Sequence, residues 1–379
     1  MKKVALVGST GSIGRQVINV INRRKSEFSL VAAIANSSVK EFKQQVEKLK
    51  PAFAALTDNE AAKAIGNLPQ GVRFYSGKEG AMRALEECGA DVIFVACGGF
   101  EGLAYSLKAA QLNAVIALAN KESLVCGGDL LAKIPCTIVP VDSEHSALWQ
   151  CLNFKRNAPF SRLYITASGG AFRGKKWSGL ENVTPQMALA HPTWSMGAKI
   201  TVDSATLLNK GYEVIEAHHL YNAPYDKITA VIHPQSIVHS MVMFEDGAIL
   251  AQLSRPTMEL PIQLALTYPK RMDAGLENLD FTKAFSLDFE PLERRDYPLF
   301  GLALSCGEEG GVLPTALNAA SEKAVHAFLN GQIKYTDIFT VCEKVVLSTA
   351  NRAVGSYGQL EEVNGVSRRK AEQFIKEIR

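Results

Sequence analysis

Asp142 and Glu144 stand two residues apart with Ser143 between them, just after the apolar run Thr137-Ile138-Val139. Side chains alternate along extended backbone, so the two carboxylates would point the same way. Two acids held close repel each other unless they share a proton or a cation sits between them. Hard oxygen donors favour Mg²⁺ or Mn²⁺, which bind through a few carboxylates and keep positions open for substrate. The plainer reading is two solvated acids at the start of a surface helix. A third acid, Glu213, lies far along the chain in Asn209-Lys210-Gly211-Tyr212-Glu213. Asn209, Lys210 and Glu213 are related by i, i+3 and i, i+4, so they share one helical face. That face is either solvated surface or a substrate face, with Ser204, Asn209 and Lys210 on a phosphate and Glu213 on the metal. Asp203 or Ser204 is the expected cap of this helix.

The elements that would position these residues begin at the N-terminus. The apolar strand Lys3 to Val7 runs into Gly8-Ser9-Thr10-Gly11-Ser12-Ile13-Gly14, and a helix follows through about Arg24. Strand, glycine turn and helix is the arrangement that takes a dinucleotide pyrophosphate: glycines admit the backbone closely, and the helix start offers free N–H groups. The spacing is G-x-x-G-x-x-G rather than G-x-G-x-x-G, and a plain turn into a helix is the alternative. The next strand, Leu30 to Ala35, ends at Asn36-Ser37-Ser38. An NAD enzyme usually carries Asp or Glu there for the ribose 2′-hydroxyl. With no acid to repel a 2′-phosphate, NADP is favoured; Lys40 is the nearest cation along the sequence.

Strands at 52–56, 72–75, 91–96 and 113–119 alternate with helical stretches, which predicts a parallel sheet covered by helices on both faces. Ligands in such sheets sit at the carboxyl ends of the strands. Asn120, Lys121 and Glu122 lie at one such end, and Asp142 at another. Lys121 is either a cation facing substrate or an ordinary solvated helix start. The pattern loosens from Trp149 to about Asn157, where a boundary is expected. A strand at 163–167 leads into Ser168-Gly169-Gly170, small residues that allow close approach to an anion or simply make a tight turn. His191-Pro192-Thr193-Trp194-Ser195-Met196-Gly197 has neither helical nor strand period. It suits a mobile lid that lays an aromatic face over substrate, or else its Trp plugs a core. Strands are expected at 230–232, 236–243 and 248–253. His233 either faces a site or is a satisfied structural histidine. Residues 257 to 295 read as a mixed connecting region, and helical patterns take over from Leu299. The run Arg368-Arg369-Lys370 reads as a solvated helix face.

Length and composition narrow the classes. At 379 residues, two or three domains are expected. A hydrophobic fraction of 47% with 21% charged residues fits a globular protein, and a net charge of +3 argues against a nucleic-acid footprint. No stretch nears the roughly 18 unbroken apolar residues of a membrane span. The basic start followed by apolar residues is better read as a first strand than as a leader, since glycines follow at once. Seven cysteines without a Cys-x-x-Cys read as reduced thiols in a cytoplasmic protein.

Several segments read together resemble the 1-deoxy-D-xylulose 5-phosphate reductoisomerase family. They are Gly8–Gly14, Ala119-Asn-Lys-Glu-Ser123, Pro140-Val-Asp-Ser-Glu-His145, His191–Gly197, Val202-Asp-Ser-Ala-Thr206 with Asn209-Lys-Gly211, and Ile232-His-Pro-Gln-Ser236. The likeness runs from Met1 to about Leu317–Glu322. It implies an α/β protein with a Rossmann-like NADPH-binding domain at 1–150, a central catalytic and dimerisation domain at 151–285 with a lid at about 186–198, and a linker with a helical domain at 286–379. It implies rearrangement of a ketose phosphate to an aldehyde, then reduction with NADPH to 2-C-methyl-D-erythritol 4-phosphate, in a cytoplasmic homodimer. A divalent ion, Mg²⁺ or Mn²⁺ with Co²⁺ as a further candidate, would be held by Asp142, Glu144 and Glu213. By resemblance Lys121, Ser143, Glu144, Ser168, His191, Ser204, Asn209, Lys210 and Glu213 would meet substrate. Lys121, Glu144, His191 and Glu213 among them would be catalytic. Thr10, Gly11, Ser12, Ile13, Asn36, Ser37, Ser38, Asn120, Glu122 and Gly197 would meet NADPH. The family often has Gly-x-Asn where this chain has Asn36-Ser37-Ser38. Strict strand alternation would also turn Ser143 away from the metal, unless the chain is already curling into a helix there.

Two other classes compete. A metal-independent NADP dehydrogenase, such as one acting on a semialdehyde, would want a nucleophilic cysteine or a catalytic histidine near the sheet. A non-catalytic nucleotide sensor would need neither three separated acids nor a Trp-bearing lid.

Overall fold

Runs such as Val92-Ile93-Phe94-Val95 carry no polar side chains, which suits strands covered on both faces. The computed structural model, which describes residues 1–194 and 196–378, builds such runs into one of two units. This first unit holds Met1–Ser123, Leu131–Ser146 and Thr257–Leu276. Its strands are β1 (Lys2–Val7), β2 (Phe28–Ala35), β3 (Phe53–Leu56), β4 (Arg73–Ser76), β5 (Val92–Val95), β6 (Val115–Leu118) and β7 (Ile138–Pro140). They form a sheet in the order β4-β3-β2-β1-β5-β6-β7, parallel throughout. The strand order reverses between β1 and β5, and in such doubly wound sheets that is where a ligand settles. Helices Ser12–Arg23, Val39–Leu49, Gly77–Glu87 and Gly102–Gln111 make four of the crossovers.

The second unit holds Leu124–Leu130, Ala147–Pro256 and Glu277–Arg379. Its strands are β8 (Arg162–Ala167), β9 (Ile228–Ile232), β10 (Val238–Met243), β11 (Ile249–Leu253) and the short β12 (Glu290–Pro291), in the order β11-β10-β8-β9-β12. Only the β8–β9 pairing is parallel among the described residues. Helix Leu208–Tyr221 packs on β8 and β9. Beyond it, Pro298–Glu309, Leu313–Leu329, Asp337–Leu347 and Tyr357–Ile378 pack on one another. The parallel sheet, the second mixed sheet and the helical C-terminal part agree with the expected α/β class. None of the described helices is long and apolar enough to cross a membrane.

Three local expectations are overturned. Residues 257–295 do not merely connect, because Glu259–Thr267 is a helix of the first unit. It is tied there by Arg23 to Glu259 at 2.6 Å and by Lys2 Nζ donating to the Leu266 and Tyr268 carbonyls. Everything from Pro261 to Thr267 is buried, so no polar face marks the helical period. Pro261 resembles a breaker but lies in the first turn, where no intrahelical donor is lost. Asp203 and Ser204 do not cap the helix of Glu213. They end the preceding helix, Ala198–Ala205, and the break falls at Leu207, in the left-handed region at φ 56°. Thr206 bridges that break, its hydroxyl donating to the Asp203 carbonyl and accepting from Leu208 N–H. Finally, 142–144 is not extended backbone: β7 stops at Pro140 and a helix runs over Ser143–Cys151.

Candidate active site

The glycine turn is shaped by close approach. Gly8 has φ +86°, and a Cβ on it would lie 2.6 Å from Cys97 N. A Cβ on Gly14 would lie 2.1 Å from the Gly8 carbonyl, so this helix can press on the turn only because residue 14 is glycine. Gly8 and Ser9 donate N–H to the Ile34 carbonyl of β2 at 2.8 and 2.9 Å. Gly11 is the N-cap and contributes no side chain, so the first N–H groups of the helix stay open to an anion. Thr10 and Ile13 are partly buried, Gly11 and Ser12 exposed. Asn36, Ser37 and Ser38 are exposed at the end of β2, where Asn36 Oδ1 accepts from the Thr57 hydroxyl at 2.9 Å.

At the end of β6, Asn120 is buried and spends its amide on the chain itself. Its Nδ2 donates to the Gly99 carbonyl at 3.0 Å and to Glu122 Oε2 at 2.7 Å, and its Oδ1 accepts from Ser123 N. Glu122 Oε1 accepts from Gly99 N at 3.1 Å. These two side chains pin the Gly98-Gly99 loop after β5, beside the topological switch. Cys97 opens that loop, and its thiol is pushed up to about 12 by burial and then by the neighbouring Glu122. A thiol that stays protonated is a poor nucleophile, so Cys97 is ill suited to serve a cysteine-dependent dehydrogenase.

Lys121 is no solvated helix start. Its ammonium pairs with Asp142 Oδ2 at 2.7 Å, and both side chains are nearly buried. His145, fully buried, places Nδ1 at 3.2 Å from Asp142 Oδ1. Burial alone would raise the Asp142 carboxyl, but Lys121 and His145 outweigh it and hold the group well below the usual carboxylate range. Asp142 sits at the helix entrance, its carbonyl accepting from Ser146 N at 2.8 Å, and Glu144 lies in the first helical turn. The curl that extended geometry could not give is therefore present, and Ser143 donates to Glu144 Oε2 at 2.5 Å. Carboxylate oxygens of Asp142 and Glu144 lie within 4.8 Å of each other. His145 had no assigned part in the sequence reading. Its signal was there, three residues after Asp142, but is visible only once a helix is known to start between them.

In the second unit, β8 delivers Ser168 into Gly169-Gly170, both at positive φ. A Cβ on Gly170 would lie 2.5 Å from the Ser204 carbonyl, so this turn packs on the end of helix Ala198–Ala205 and brings Ser168 and Ser204 into one neighbourhood. His191 Nδ1 accepts the N–H groups of Thr193 and Trp194 at 3.1 and 2.9 Å. The ring proton is thereby fixed on Nε2, which lies 3.0 Å from Ser168 Oγ and donates to it. Burial lowers the His191 pKa and keeps the ring neutral. Ser168 Oγ also accepts from Gly170 N at 3.2 Å, so among the described residues its own hydrogen remains to donate.

Glu213 is buried, with Oε1 accepting from Asn209 Nδ2 at 2.6 Å and Oε2 paired with the buried Lys210 ammonium. The shared face foreseen from spacing is real, and it is an internal polar face rather than a solvated one. Lys199 pairs with Asp203 at 2.5 Å on the helix that precedes it. Gly197 is the exposed N-cap of that helix. The expected lid at 186–198 starts inside the short helix Pro185–Leu189, and its Ser195 lies outside the described residues. Trp194 is partly exposed and tilts toward His239 at 6.4 Å between ring centroids. His233 takes its structural reading. Its Nδ1 donates to the Asp288 carbonyl at 2.8 Å, its Nε2 accepts from Ile237 and Val238 N–H, and its ring stacks on Phe289.

A doubly wound sheet with a glycine turn at its switch point, carrying acids and a paired lysine at its strand ends, fits the class of nicotinamide-dependent oxidoreductases. Comparison with known proteins narrows this. Family models described as 1-deoxy-D-xylulose 5-phosphate reductoisomerase, the C-terminal domain of that enzyme, and DXP reductoisomerase C-terminal domain match residues 4–128, 138–221 and 253–370. The 1-deoxy-D-xylulose 5-phosphate reductoisomerase of Desulfitobacterium hafniense is 44% identical over 91% of this chain and 92% of its own. That of Thermodesulfovibrio yellowstonii is 40% identical over 100% of both chains. The Zymomonas mobilis reductoisomerase solved with NADPH superposes with a TM-score of 0.90 at 36% identity, covering 99% of each chain. A DOX-P reductoisomerase solved with NADPH, fosmidomycin and magnesium gives 0.91 at 33% identity, over 99% of this chain and 98% of the other. This chain belongs to the 1-deoxy-D-xylulose 5-phosphate reductoisomerase family, as its motifs implied.

Proposed function

We propose that this chain converts 1-deoxy-D-xylulose 5-phosphate to 2-C-methyl-D-erythritol 4-phosphate with NADPH and a divalent metal, supplying the non-mevalonate route to isoprenoid precursors. The observation that carries the reading is full-length similarity to that family, reaching 100% of both chains with the Thermodesulfovibrio relative. The net chemistry turns a ketose skeleton into a branched aldehyde and reduces its carbonyl carbon, a hydride going to carbon and a proton to oxygen. When bound, the divalent ion polarises adjacent carbonyl and hydroxyl oxygens as a Lewis acid, and NADPH supplies the hydride.

The donor set suits a hard cation. Asp142 and Glu144 offer oxygens close together, and Asp142 is kept ionised by Lys121 and His145. Glu213 is the third ligand we assign. Lys121, paired with Asp142, is a cation at hand for an oxygen on which negative charge develops. Ser143 stands beside them for a substrate hydroxyl. Ser168, Ser204, Asn209 and Lys210 take the phosphate, Ser168 with the hydroxyl hydrogen that neutral His191 leaves it. Phosphate binding, remote from the reacting carbons, supplies energy for ordering the segment 186–198 over the substrate and excluding water.

NADPH lies against Thr10, Gly11, Ser12 and Ile13, on a turn whose close packing against Ala96-Cys97 and against its own helix requires glycine at 8 and 14. Asn36, Ser37 and Ser38 flank its adenosine, while Gly197 and the loop pinned by Asn120 and Glu122 flank its nicotinamide. We retain the functional division into 1–150, 151–285 and 286–379. We also assign the exposed edge of β11 to a second copy, giving a homodimer, and place the enzyme in the cytoplasm. The test follows NADPH absorbance with 1-deoxy-D-xylulose 5-phosphate. One NADPH should be consumed per substrate with Mg²⁺, none after chelation, and activity should return with added Mg²⁺ or Mn²⁺. Oxidation of NADPH that a chelator leaves untouched would favour the metal-independent dehydrogenase.

A further inference from the structure

The turn after β2 contains no cation, yet a 2′-phosphate on the adenine ribose needs one. The structure brings one from elsewhere. Arg15, one turn into helix Ser12–Arg23, reaches across to Glu41 in the first turn of helix Val39–Leu49. Its Nε lies 2.6 Å from Oε1 and its Nη2 3.0 Å from Oε2, a two-pronged pair. Glu41 lies in the first turn of the helix that Asn36-Ser37-Ser38 leads into, so its carboxylate holds the guanidinium at the start of that helix. The second helix is also tied to the glycine turn, since Gln45 Nε2 donates to the Ser9 carbonyl at 3.0 Å. Arg15 itself remains 58% exposed and so is within reach of a ligand.

Glu41 occupies an unusual position. Ser38-x-x-Glu41 is a capping-box sequence, in which the glutamate would fold back on the N-cap. Ser38 is the N-cap but makes no side-chain cap, and the Glu41 carboxylate is spent on Arg15. We propose that Arg15 is the cation that recognises the 2′-phosphate of NADPH, and that Glu41 holds it in place until the phosphate displaces the carboxylate toward Ser38. A planar guanidinium suits a phosphate as well as a carboxylate, and the phosphate brings more negative charge. The inference rests on the NADPH reading above.

The test measures dissociation constants for NADPH and NADH by nicotinamide fluorescence, and for 2′,5′-ADP by calorimetry, in the wild type, Arg15→Gln, Arg15→Lys and Glu41→Gln. Loss of a charge-assisted pair predicts that Arg15→Gln weakens NADPH and 2′,5′-ADP by about tenfold or more, with NADH changed less than about twofold. Arg15→Lys should recover part of the loss. Glu41→Gln, which removes a competitor for Arg15, should tighten NADPH and leave NADH nearly unchanged. Unchanged NADPH binding in Arg15→Gln, or equal weakening of NADPH and NADH, overturns the assignment. Weaker NADPH binding in Glu41→Gln overturns the displacement. A wild type that binds NADPH no better than NADH overturns the cofactor preference itself, and this inference with it.

Discussion

Asp142 and Lys121 illustrate how a charged pair survives burial. Each charge is neutralised by a hydrogen-bonded partner, so desolvation is met by short-range attraction. Glu213 follows the same rule with Asn209 and Lys210. Glu213→Gln preserves shape but carries no charge for a cation. We expect turnover to fall about tenfold to a hundredfold and the Mg²⁺ concentration for half-activity to rise with it, while circular dichroism stays native. Wild-type turnover at saturating Mg²⁺ would remove Glu213 from the site. His219 provides a second prediction. Burial first, and then neighbouring His218, lower its pKa from 6.5 to about 4, with Arg156 adding to this and Asp129 opposing it. Between those values the unfolded chain binds more protons than the folded one, so stability falls as pH drops from about 6.5 toward 4. Allowing for solvent screening, the loss is on the order of 2 kcal/mol. Urea unfolding of the wild type and His219→Gln across that window should show the slope in the former and less of it in the latter.

At the scale of elements, the glycine turn shows close packing dictating residue type. Gly14→Ala forces a methyl group against the Gly8 carbonyl and the Ser9 backbone. Overpacking of this kind costs about 1–3 kcal/mol, and here it also pushes the helix start away from the pyrophosphate position. A lowered urea midpoint together with weaker NADPH binding is the expected pair of results; native values for both would mean the helix can shift freely. The turn, its strand and its helix were legible because strand, glycines and helix fall in one short stretch. Helix Glu259–Thr267 was not, because a helix buried on every side loses the periodic pattern that marks amphipathic ones. The break at Leu207 was also hidden: no glycine or proline marks it, and only the packed structure selects a left-handed leucine.

For the whole molecule, the edge strand β11 leaves Ile249 and Leu250 about half exposed, at 50% and 51%. A long apolar edge invites a partner unless it is covered or charged. If a second copy covers it, Leu250→Lys should shift the protein toward monomer in sedimentation equilibrium at micromolar concentration. An unchanged mass would place the contact elsewhere.

By itself the sequence determined the class of fold, the glycine turn and the family, and it singled out the candidate acids. All of these are written in local spacing and in residue types that chemistry restricts. Tertiary structure alone decided the state of those groups. It turned Lys121 into the partner of Asp142, brought His145 onto the same carboxylate, fixed the proton of His191 on Nε2 and stretched Arg15 across to Glu41. The reason is physical. Charge state and proton position depend on burial and on neighbours within a few ångströms, and those neighbours are chosen by packing between segments that the linear sequence keeps apart.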